Sequence, residues 1–242
     1  MTQTTVATSK GDLPVYLSTP QGTGQWPGVV VIHDALGMTQ DLRNQTEWLA
    51  GDGYLAAAPD LLFRGMKLRC LFSVMRDLMR GSGQAFDDVE AVRGWLASRE
   101  DCSGRIGVIG FCLGGGFALA LAPEHGFGAC SVNYGDVPKD AERLFETACP
   151  VVGSYGAKDR TLGKAPARLE SLLTTAGVPH DVKVYPDAGH GFINDHDPSE
   201  VPLLVKLVSK LNGGDDYHNA SAQDAKRRIV AFFDQHLKEG AT

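Results

Sequence analysis

The chain has 242 residues, 43% of them hydrophobic, a formal net charge of −6 and a pI near 5.6. That length and that apolar content suit one large α/β domain with a sizeable core, and the acidic balance excludes attraction to nucleic acid or to an anionic membrane surface. No apolar run approaches the roughly 18 residues of a membrane helix, and the start (1–11) is polar and Thr-rich, unlike a secretory leader.

Five cysteines, Cys70, Cys102, Cys112, Cys130 and Cys149, are scattered with no CxxC pair. That pattern argues against a disulfide framework and against a zinc site. Together these features predict a protein of the reducing cytoplasm.

Short apolar runs alternate with helical patterns, as in βαβ units around a mainly parallel sheet. The first strand is expected at 15–19 and a fully buried one at 28–33, then a helix over 40–51 and a short strand at 54–57. The stretch 61–80 holds Leu71, Phe72, Val74, Met75 and Leu78 and is either a lid or an extra packed helix. A helix over 85–98 places Phe86, Val89, Val92, Trp95 and Leu96 on one face. A strand at 105–109 runs into a helix that begins near Cys112. Strands at 129–132, 150–154 and 181–185 complete the sheet, separated by helices at 141–147 and 164–176. The excursion 195–219 contains a helical pattern at 201–211 and a Gly-Gly-Asp-Asp turn at 213–216. A last helix, 222–238, closes a single domain spanning 1–242.

The string Gly110-Phe-Cys112-Leu-Gly114 sits between a strand and a helix. It is the nucleophile-elbow pattern, with cysteine in place of serine. Small residues flank the nucleophile because its backbone is strained and bulk there would strike the neighbouring strand or helix. A helix N-terminus favours a thiolate, and the Leu113 N–H is aimed at a developing oxyanion. A dinucleotide fingerprint is excluded because Cys112 fills the second glycine position. A P-loop is excluded because no Lys-Ser/Thr follows.

An elbow requires an acid and then a histidine in loops after later strands. Asp159, after 150–154, and His190, after 181–185, occupy those loops in that order. His125, His180 and His236 lie at helix ends or on polar faces, and His196 and His218 in the irregular late segment. Asp195-His196-Asp197 makes a poor metal site because adjacent side chains cannot easily converge on one ion. Asp136 and Asp187 are the alternative acids, each with a turn-residue reading.

With these motifs assembled, the sequence resembles the dienelactone hydrolase family over about 12–237. The resemblance implies an α/β-hydrolase fold and a Cys112–His190–Asp159 triad, with no cofactor or metal. It also implies a small ester or lactone substrate and an enzyme that is a monomer or small homo-oligomer. It places Asp34 where the family carries a glutamate that pairs with the cysteine, although Asp34 also suits a turn or helix N-terminus. The Ala35 N–H becomes the second oxyanion donor. Of the two arginines that bind a substrate carboxylate in well-known members, one matches Arg64 and the other position holds Asn194, while Gly191 replaces a serine. A thioesterase or general carboxylesterase is the alternative enzyme, and a non-catalytic ligand-binding protein on the same fold is the alternative from another class.

Overall fold

The computed structural model describes residues 1–139, 141–203, 205–207 and 217–238. The expected turn at 213–216 lies outside them, as do residues 204 and 208–211 of the 201–211 helical pattern. One eight-stranded sheet runs through the molecule in the order β1-β2-β4-β3-β5-β6-β7-β8. Its strands are β1 (Thr2–Thr8), β2 (Gly11–Ser18), β3 (Trp26–Ile32), β4 (Leu55–Pro59), β5 (Cys102–Phe111), β6 (Ala129–Asn133), β7 (Val151–Gly156) and β8 (His180–Tyr185). β1 and β2 pair antiparallel, β2 joins β4 antiparallel, and β4 through β8 are parallel.

The helices are α1 (Gln40–Gly51), α2 (Lys67–Arg80), α3 (Gln84–Ala97), α4 (Leu113–Leu121), α5 (Ala141–Leu144), α6 (Ala165–Ala176) and α7 (Asn219–Phe233). Local chemistry sets their ends. The Thr39 side chain caps α1 by accepting the Leu42 N–H, satisfying a donor that the first turn leaves free. α6 carries Pro166 in its first turn and ends at Gly177 in the left-handed conformation, where glycine is unstrained.

Strand side chains alternate between faces, so β3 feeds two cores. Val30 and Ile32 join Val89, Val92, Phe117 and Leu169 of α3, α4 and α6. Val29 and Val31 join Leu49, Ile229 and Phe233 of α1 and α7. Helices therefore cover both sheet faces, and the carboxyl ends of the parallel strands are left to carry loops.

The polar start is itself a strand, β1, which the sequence reading left out. The 61–80 stretch contains α2, which buries Val74 and Asp77 and leaves Leu68, Phe72, Met75 and Met79 exposed. Among the described residues no helix is long and apolar enough to cross a membrane.

Candidate active site

Cys112 stands between β5 and α4 with φ 53° and ψ −113°, outside the ordinary regions for a residue with a Cβ. The turn closes as the Cys112 N–H donates to the Asn133 carbonyl at 3.0 Å, and the Gly115 and Gly116 N–H groups bond the Cys112 carbonyl at 3.0 and 3.2 Å. The flanking glycines are required sterically. A Cβ on Gly110 would fall 1.9 Å from the Gly114 oxygen, and one on Gly114 would fall 2.3 Å from the Ile32 oxygen.

Asp159 follows β7 and His190 follows β8. Their loops interlock: the Ala157 and Lys158 N–H groups both donate to the β8 loop, at the Tyr185 and Ala188 carbonyls, each at 2.9 Å. A Cβ on Gly156 would come 2.3 Å from the Gly189 oxygen. Asp159 Oδ2 accepts from His190 Nδ1 at 2.7 Å. Asp159 Oδ1 accepts from the Thr161 hydroxyl at 2.6 Å and the Thr161 N–H at 2.8 Å. With Nδ1 committed to Asp159, Nε2 is the ring nitrogen left for Cys112, which lies close enough to act on the charge of the imidazole. The Tyr134 ring packs beside the imidazole at 5.3 Å between centroids.

Burial alone would push His190 down, but its hydrogen bonds to Asp159 and Cys112 outweigh it and hold the imidazole at about 10. Burial would likewise raise Asp159, yet the bonds from His190 and Thr161 prevail and keep it below the usual carboxylate range. Both directions favour an imidazolium facing a carboxylate. Among the described residues neither the Ala35 nor the Leu113 N–H donates to a protein acceptor; Leu113 follows the nucleophile directly, and Ala35 lies two residues past the His33 carbonyl that packs on Gly114.

The other expected site residues are engaged elsewhere. Asp34 Oδ2 pairs with His196 Nε2 at 2.8 Å and its Oδ1 accepts the Leu36 N–H at 2.7 Å, so its carboxylate serves a turn and a histidine rather than the thiol. The Arg64 guanidinium pairs with Asp88 at 2.8 Å and also bonds Thr8 and the Lys10 carbonyl, tying the β1–β2 turn to α3. Asn194 is 4% exposed, accepting from the Tyr134 hydroxyl and donating to Asp41. It is a buried link rather than a free donor for substrate. Thr161 and Tyr134 are neighbours of His190 and Asp159 that sequence reasoning missed, and His196 is a histidine that it named and set aside. No cluster of His, Cys, Asp and Glu suits a metal ion among the described residues, the Asp195-His196-Asp197 run included.

A mainly parallel sheet, an elbow after a central strand, and an acid and a histidine on later strand ends define an α/β-hydrolase. The dienelactone hydrolase family model matches residues 13–237. The chain belongs to that family and is a carboxylic ester hydrolase of its type. A Yersinia pestis protein assigned as a carboxymethylenebutenolidase is 29% identical over 255 residues, spanning 97% of this chain and 88% of its relative. The carboxymethylenebutenolidase of Pseudomonas sp. strain P51 is 30% identical over 202 residues, spanning 77% and 82%. A Klebsiella pneumoniae crystal structure assigned as a dienelactone hydrolase superposes with a TM-score of 0.78 at 27% identity, covering 97% of this chain and 98% of that one.

Proposed function

We propose that the protein hydrolyses a small ester or lactone through an acyl-cysteine intermediate, with Cys112 as nucleophile, His190 as proton carrier and Asp159 as its orienting acid. The observation that carries the reading is the strained Cys112 at the elbow together with the 2.7 Å hydrogen bond that holds His190 to Asp159.

The Cys112 sulfur attacks the carbonyl carbon as a thiolate, and the π electrons move onto the oxygen, which the Ala35 and Leu113 N–H groups receive. Collapse breaks the C–O bond. The departing alkoxide takes the His190 Nε2 proton and leaves a thioester on Cys112. Neutral His190 then removes a proton from water, hydroxide adds to the thioester, and the thiolate departs as the acid forms. Asp159 keeps Nδ1 protonated throughout. No step needs a cofactor. Because Arg64 and Asn194 are both engaged within the protein, neutral esters or lactones are expected to be accepted alongside carboxylate-bearing ones.

Iodoacetamide tests the nucleophile. Burial pushes the thiols of Cys102 and Cys130 up and that of Cys149 to about 12, whereas Cys112 sits partly exposed at a helix N-terminus. Mass spectrometry should find Cys112 alkylated ahead of the other four, with esterase and lactonase turnover lost in proportion. Full turnover after stoichiometric labelling of Cys112 defeats the reading.

A further inference from the structure

The segment after His190 brings a second histidine to the loop that follows β3. His196 pairs with Asp34 at 2.8 Å, the two side chains 15% and 12% exposed. Its other nitrogen, Nδ1, is buried without a hydrogen-bond partner among the described residues, so the contact with Asp34 is what orients the ring.

Asp34 in turn organises the loop that carries Ala35. Its Oδ1 accepts the Leu36 N–H at 2.7 Å. Its carbonyl accepts from His33 Nδ1 at 2.6 Å and from the Gly37 N–H at 3.3 Å. His33 Nε2 accepts the Leu61 N–H at 3.1 Å, which fixes the tautomer of that ring and pins the loop to the segment after β4. The Ile32 and His33 carbonyls press against Gly114, where a Cβ would approach to 2.3 and 2.6 Å. The loop that carries Ala35 is thereby held against the first turn of α4.

Charge makes the arrangement consequential. A bare carboxylate at Asp34 would repel an anion forming on the adjacent loop. The titratable groups that face His196 are Asp34, Asp41 and Glu200, all acidic. Burial alone would favour the neutral ring, but these carboxylates outweigh it and raise His196 above the ordinary imidazole value.

We infer that His196 is a positioning residue of this hydrolase: it neutralises Asp34 and fixes the turn that points the Ala35 N–H at the oxyanion. The inference rests on the Cys112 reading for the place where the oxyanion forms. It differs from a propping role because removing the Asp34 charge should make His196 dispensable.

The experiment compares kcat and KM for an activated neutral ester in wild type, His196→Ala, Asp34→Asn and the double variant. His196→Ala should lower kcat by about 10–100-fold, less than deleting a donor outright, with KM changing by less than about threefold. Asp34→Asn keeps an acceptor for the Leu36 N–H, so the double variant should regain most of the loss and fall within about threefold of Asp34→Asn alone. His196→Gln, which donates to Asp34 without a charge, should lie between wild type and His196→Ala, and replaces the latter in the cycle if that variant does not fold. An unchanged kcat in the His196 variants, or a double variant as impaired as the single, overturns the inference. Cys112→Ala separates the two claims: if it stays active the nucleophile reading fails, whereas an inactive Cys112→Ala beside a silent His196 variant defeats this inference alone.

Discussion

His190 is hydrogen-bonded to Asp159 beside the elbow, and the surroundings of the imidazole fix how it responds to pH. His190 is held at about 10 against an ordinary value of 6.5, with burial opposing and the bonds to Asp159 and Cys112 prevailing. A folded value above the unfolded one means that the native state keeps the proton more tightly. The stability linked to His190 is therefore complete below about pH 6.5 and is lost as pH rises through about 10. In the proposed mechanism the same proton serves the leaving group, so kcat/KM should fall on the alkaline side near pH 10. Asp159→Asn removes a bond that raises the imidazole, and it should move this alkaline limb to lower pH while reducing kcat. A pH–rate profile of the two proteins is the check, and a limb that stays put in Asp159→Asn would mean that another group sets it.

At the scale of elements, the elbow is a steric fit between β5, α4 and the end of β3, with glycine as the only residue the fit allows. Gly114→Ala would place a Cβ 2.3 Å from the Ile32 oxygen, and since that atom belongs to a central strand the cost should exceed about 3 kcal/mol. Gly94 of α3 provides the control, because a Cβ there meets nothing within 4 Å. Gly94→Ala should stabilise by about 0.5–1 kcal/mol through helix propensity. Urea unfolding of both variants checks the contrast, and near-equal midpoints would show that the contact at Gly114 relaxes freely. This fit was legible in the sequence because a tight turn writes its demands into adjacent positions. α1 was equally legible, the helix expected over 40–51 matching the observed Gln40–Gly51. β1 was not. Its burial is confined mainly to Val6, so an edge strand made largely of threonine carries no apolar alternation.

Across the whole molecule, the contacts that escaped sequence reading join positions far apart in the chain. Asn194 meets Asp41 across 153 positions and Arg64 meets Asp88 across 24, and periodicity holds no information about which loop faces which. The family pattern suggested a substrate role for Arg64, and the structure ties its guanidinium to Asp88, Thr8 and the Lys10 carbonyl. It bonds Thr8 at 3.1 Å and Asp88 at 2.8 Å, with the Asp88 side chain only 4% exposed. Removing the guanidinium would leave that buried carboxylate with the Gln84 amide, which donates to the same oxygen at 2.8 Å, and would release the β1–β2 turn from α3. Because Arg64 itself is 24% exposed, solvent offsets part of the loss, and Arg64→Ala should cost about 1–3 kcal/mol. The ratio of kcat/KM for a dienelactone-type acid to that for its neutral methyl ester should stay unchanged, since the guanidinium is committed within the protein. Urea unfolding read beside that ratio decides the matter: a variant of wild-type stability that selectively loses the acid substrate would return Arg64 to the binding site.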